Sequence, residues 1–90
     1  MKDDIDYSKL PEHIREGVKR YIENGVPPGR FLMAVISNKL LEAFYQADEI
    51  NEERMSDIVF WFYYEAPGNC RGSEDIMWTW IRSFKKEPEA

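Results

Sequence analysis

From Pro11 onward, apolar residues recur at intervals of three to four positions, and this spacing predicts helices. Ile14, Val18, Tyr21 and Ile22 form one stripe that Gly25 closes, giving a first helix over 11–24. Pro11 suits a first helical position, where its missing N–H costs nothing. After the stiff linker GVPPG the run RFLMAVISNKLLEAFYQA predicts a second helix over 30–47. Its apolar residues fall on two faces: Phe31, Val35 and Tyr45 on one, and Leu32, Ile36, Leu40 and Phe44 on another. A helix apolar on more than one side belongs in the middle of a bundle, wrapped by the others. Asn38 falls on the first of these faces, where a buried amide would tie down a neighbouring loop.

A third helix is predicted over 52–66. Asn51 can cap it, and Glu52 and Glu53 in its first turn complement its dipole. It contains IVFWFYY, which by β-propensity alone could form a strand, but the chain offers no second strand to pair with it. As a helix, the five successive aromatics Phe60 to Tyr64 sweep through more than a full turn, so no single core face covers them all. The fourth helix, over 74–85, begins at a Ser73 cap. It turns Ile76, Met77, Trp80, Ile81 and Phe84 inward and Trp78 away from that stripe. The expected architecture is an all-α, compact bundle of about four helices with the second at its centre. A polar N-terminal arm (1–10), whose Tyr7 and Leu10 tuck against the body, precedes a single domain (11–85), and a frayed tail (86–90) follows.

At 90 residues the chain can support one core and no more. Charge narrows the choice of partner. The net charge is −5, and between Glu42 and Asp75 nine carboxylates stand against only Arg54 and Arg71, which argues against duplex nucleic acid or an anionic membrane. No apolar run approaches the ~20 residues of a membrane span, and the start MKDDIDYSKL has no signal-peptide character. The lone Cys70 cannot form an internal disulfide, so a reducing cytoplasm suits the fold.

Candidate chemistry is sparse. His13 and Cys70 are the only residues of their kinds, too few for a metal site or a hydrolytic triad, and no phosphate-loop motif is present. His13 reads as a surface residue, and Cys70 beside Arg71 as a lone thiol rather than an activated one. These absences predict a protein that is not an enzyme, with no cofactor and no metal. Two turns, GVPPGRF and GNCRGS, bring an arginine and glycines to helix starts. The anion-binding candidates are therefore Arg30, Lys39, Arg71, Ser73 and Tyr21. The partner-binding candidates are the aromatics Trp61, Tyr64 and Trp78, rimmed by Glu49, Glu52, Glu53 and Asp57, since interfaces combine aromatic centres with polar rims.

Leu10, Pro11, Arg20, Tyr21, the Gly25-x-x-x-Gly29-x-Phe31-Leu32 turn, the Ala47-Asp48-x-x-Asn51 junction, Pro67, Gly72-Ser73 and Trp80 together resemble a family of small, uncharacterised phage and prophage proteins. The resemblance runs over about four fifths of the chain. It implies a phage origin and action in the host bacterial cytoplasm, and supplies no catalytic or binding residue. The reading that follows is a non-enzymatic accessory protein that binds a host protein stoichiometrically and inhibits antiviral defence. The alternative is an oligomeric sponge for an anionic nucleotide signal. A homodimer through the third helix is expected as well, because it would bury the outward rings without needing any host partner.

Overall fold

The first helix ends where its sequence requires. Gly25 adopts φ 68°, and its N–H and that of Val26 bond the Tyr21 and Arg20 carbonyls. A side chain here would be strained, and its Cβ would also lie 2.6 Å from Cγ of Phe84. The structure, a computed structural model, describes residues 5–85. The predicted tail (86–90) and the first four residues of the predicted arm lie outside the described residues.

The described residues form six α-helices: α1 (Glu12–Asn24), α2 (Arg30–Ile36), α3 (Leu40–Gln46), α4 (Glu49–Glu53), α5 (Met55–Tyr64) and α6 (Glu74–Ser83), with a 3-10 turn at Gly68–Cys70. The protein is an all-α bundle, and the aromatic run IVFWFYY lies on α5. Pro11 stands just ahead of α1 with extended ψ instead of inside it. Ile14, Val18, Tyr21 and Ile22 are the buried residues of α1. They join Leu10, Phe31, Leu32, Ile36, Ile58, Trp61, Phe62, Met77 and Ile81 in one core. On α6, Met77 and Ile81 are buried as expected, while Ile76 and Phe84 are exposed.

Two of the four expected helices are broken, and the breaks decide what the surface looks like. The second stops at Ile36 because Asn38 takes a left-handed conformation, φ 65°. Its N–H bonds the Val35 carbonyl, and the Lys39 N–H reaches back to Ala34, which together form a Schellman-type stop. Asn tolerates this conformation better than most residues do. Asn38 is thus an exposed helix terminator, not the buried amide expected from its place on the wheel. The notion of a central second helix holds only for its first half. Phe31, Leu32, Ala34 and Ile36 are buried in α2, whereas α3 buries Ala43 alone.

The expected third helix starts early and is interrupted at Arg54. Asp48 caps α4 by accepting from the Asn51 N–H at 2.7 Å, so Asn51 is not the cap but a buried residue inside the first turn. Its Oδ1 accepts no hydrogen bond among the described residues. The loop after α5 is stitched to α2 by the Gly72 N–H to the Ile36 carbonyl at 2.9 Å, and Ser73 caps α6 as expected.

Candidate functional site

The predicted aromatic surface is divided by the fold. Trp61 is only 3% exposed. Its ring lies against Tyr7 (centroids 5.4 Å apart) and edge-on to Phe62 (5.1 Å), and its Nε1 donates to the Asp6 carbonyl at 2.7 Å. The segment Ile5–Leu10 causes this. Leu10 is fully buried, the Tyr7 hydroxyl donates to Glu23, and Arg15 holds the Leu10 and Ser8 carbonyls. Trp61 is therefore a core residue. Trp78, expected to point outward, is half-buried and packs against the core.

Three rings of the run do face solvent. Phe60, Tyr63 and Tyr64 are exposed, with Phe60 and Tyr64 packed on each other at 6.1 Å and Tyr64 edge-on to Tyr63 at 4.9 Å. Beside them opens a cleft of about 340 Å³ lined by Lys9, Arg54, Asp57, Phe60, Tyr64 and Glu65, with an edge of Trp61 at its base. Arg54 is tied down, its Nε donating to Asp57 at 2.7 Å and its Nη2 to the Lys9 carbonyl at 2.8 Å. Glu49, Glu52 and Glu53 are exposed along α4, ahead of this cleft. Of the predicted partner set, Tyr64, Asp57 and an edge of the buried Trp61 line the cleft together, the three glutamates stand on the preceding helix, and Trp78 is elsewhere.

The anion-binding set comes apart more completely. Tyr21 is fully buried, and its hydroxyl donates to the Cys70 carbonyl at 2.5 Å while its own carbonyl accepts from Trp80 Nε1 at 3.1 Å. Burial raises its pKa well above the ordinary 10.0, as expected of a structural phenol and not of a ligand contact. Arg71 is spent inside the fold, with Nε donating to the Phe62 carbonyl at 3.0 Å and its guanidinium 4.9 Å from the Tyr63 ring centroid. The Ser73 hydroxyl caps α6. Only Arg30 and Lys39 share a cleft, one of about 270 Å³ with Trp78, Met33 and Met77 in its wall. That cleft also holds Glu42 and Glu74, and Lys39 already bonds Glu74 at 3.0 Å, keeping the Glu74 pKa below its ordinary 4.5.

The remaining titratable groups serve the fold. Burial pushes the Cys70 thiol up to about 12, outweighing the neighbouring Arg71, so the thiol is unactivated. His13 is an exposed residue whose Nε2 lies 3.0 Å from Asp48. The Asp48 pKa is held below 3.8, first by the Asn51 N–H and then by His13. Among the described residues no cluster of His, Cys, Asp or Glu could hold a metal, and no helix is long and apolar enough to cross a membrane.

The feature that the sequence reading missed is α3. Leu40, Leu41, Phe44 and Tyr45 are 63%, 85%, 43% and 81% exposed. At 100° per residue they occupy a continuous arc of about 140°, with Ala43 on the opposite, buried side. The helix is amphipathic, and its apolar side faces out. The signal was present in Asn38: a residue suited to the left-handed conformation, three positions before Leu41, frees α3 to rotate away from α2. Compared with models of protein families, with curated proteins and with solved structures, the chain matches none.

Proposed function

We propose that this is a phage-type accessory protein, not an enzyme, that acts in the host bacterial cytoplasm by stoichiometric binding to a host protein, with inhibition of antiviral defence as the outcome. The observation that carries the reading is the outer face of α5. There Phe60, Tyr63 and Tyr64 stand in solvent beside a cleft edged by Asp57 and Glu65, while the other two rings of the run complete the core. Rings held rigidly on a helix contribute contact area at small entropic cost, and they are the residue types that dominate binding energy at interfaces. The net charge of −5 favours a partner with a basic surface and speeds its encounter. The phage assignment rests on the resemblance of the sequence motifs; the binding mode rests on the α5 face.

The test is a paired capture from host lysate. Wild type and a Phe60→Ala/Tyr64→Ala variant are used as baits, and the protein that only wild type retains is then purified and titrated. A one-to-one complex that the double variant weakens by roughly a hundredfold or more supports the reading, since two such rings contribute on the order of 3 kcal/mol or more. Equal retention by both baits would overturn the α5 assignment. The nucleotide-sponge reading keeps one observation in its favour, the shared cleft of Arg30, Lys39 and Trp78. A thermal shift with nucleotides that is abolished by Arg30→Ala would favour it over protein binding.

A further inference from the structure

We infer that the outward apolar stripe of α3 seats the same stripe of a second copy of this chain, the two helices antiparallel about a two-fold axis. The inference does not rest on the host-binding reading, which uses α5.

An isolated helix of two turns is not stable by its own propensity, and α3 has little tertiary packing to compensate. Ala43 is its one buried residue, and α2 is the helix it chiefly touches. The side that could have packed inward is turned out by the left-handed Asn38 and held there by the Lys39 N–H to Ala34. Leu40, Leu41, Phe44 and Tyr45 together expose on the order of 600 Å² per copy, at the top of what a monomer ordinarily tolerates as one patch. Two copies face to face would remove at most about 1,200 Å² from water, which reaches the lower end of a standard specific interface when the stripe is fully covered.

Two features select a second copy as the occupant. The four residues of the stripe carry no charge, so like can lie on like, and Glu42, which borders it, belongs to the rim, its carboxylate accepting from Gln46 Nε2 at 3.0 Å. The ends of the helix, in contrast, carry opposite signs: Lys39 immediately precedes α3, and Asp48 and Glu49 follow it after a single residue, Ala47. All three are exposed; Lys39 also pairs with Glu74 and Asp48 with His13 within the chain, surface pairs that exchange at small cost. A two-fold axis through the middle of α3 places each Lys39 across from the other copy's Asp48 and Glu49, and sets the two helix dipoles head to tail. A parallel arrangement would set like against like at both ends.

Sedimentation velocity across the micromolar range tests the inference. Wild type is expected to shift from monomer to dimer with concentration, and Leu41→Glu, at a site already in solvent, to remain monomeric with an unchanged circular dichroism spectrum. Glu49→Lys should weaken the dimer by roughly tenfold, and Lys39→Glu added to the same chain should restore it, because the exchanged charges meet again across the two-fold. A wild type that stays monomeric throughout overturns the inference. So does a dimer indifferent to Leu41→Glu but lost in Phe60→Glu, which would move the contact to α5. Failure of the second charge change to rescue the first overturns the antiparallel geometry.

Discussion

Tyr21 does the work of several residues. It lies on the inward face of α1, its hydroxyl holds the Cys70 carbonyl of the 3-10 turn, and its backbone carbonyl receives the Trp80 indole from α6. One residue, through its side chain and its backbone, therefore joins three parts of the chain that are far apart in sequence. Tyr21→Phe keeps the ring and its packing and leaves the Cys70 carbonyl without that donor, in a site with little access to water. The expected loss is about 1–3 kcal/mol in a urea melt, with the denaturant slope unchanged because the same surface is exposed on unfolding. Trp61 offers the contrast between a residue's type and its surroundings. The run Phe60 to Tyr64 foretells that some rings must face out, which holds for Phe60, Tyr63 and Tyr64. It could not foretell which, because the choice is made by Ile5–Leu10 folding back over α5, a contact some fifty residues away along the chain.

At the scale of elements, what was legible in the sequence was whatever is decided locally. Gly25, Ser73 and the apolar spacing of α1 mark helix boundaries through backbone geometry and side-chain capping within a turn or two, and all three are where the pattern placed them. The break at Asn38 was not legible from periodicity, since Leu40, Leu41 and Phe44 continue an apolar pattern across it. The wheel drawn through residues 30–47 assumed a single axis, and the left-handed residue supplies two. The candidate anion site fell for a related reason: Arg71, Ser73 and Tyr21 do lie near helix ends, but each is used up by a backbone partner that only the folded chain brings close. Asn38 also gives the element-scale prediction. Asn38→Gly removes the strain of φ 65° and should leave stability within about 1 kcal/mol of wild type, whereas Asn38→Val, β-branched and intolerant of that conformation, should cost about 1–3 kcal/mol in thermal unfolding. If α3 is the dimer contact, the valine variant should also lose self-association, because the stripe would no longer be aimed outward.

At the scale of the whole molecule, the titratable groups set the pH range over which the bundle is stable. The Cys70 and Tyr21 values lie above their ordinary 9.0 and 10.0 because burial disfavours the charged forms. Each contributes stability that is complete below its unfolded value and is lost as pH rises toward the folded one, so melting temperature should fall steadily above pH 9. Asp48, Glu74 and Asp6 lie on the other side, lowered by hydrogen bonds and neighbouring cations. Their contributions are present above the ordinary carboxylate values and fade as pH falls below them, and because all three are exposed the acid limb should be shallow. Thermal melts from pH 3 to pH 11 should therefore show a plateau from about pH 5 to pH 9 with the steeper decline on the alkaline side. In Tyr21→Phe the alkaline decline should soften, as one of the three acids that burial raises, Tyr21 beside Cys70 and Tyr7, is gone.

Cys70 has a practical consequence. It is the chain's single cysteine, fully buried and protonated at neutral pH, and alkylating reagents attack only the exposed thiolate. Labelling can then proceed only through openings that release the turn at Gly68–Cys70, so its rate counts those openings, as amide exchange does but with a mass tag that survives in crude extract. Iodoacetamide should modify the native protein orders of magnitude more slowly than the urea-unfolded chain, and the ratio of the two rates gives the opening equilibrium directly. The same shielding leaves room for a second cysteine introduced at an exposed position to be labelled selectively, so a fluorophore or cross-linker can be attached without first removing the native thiol.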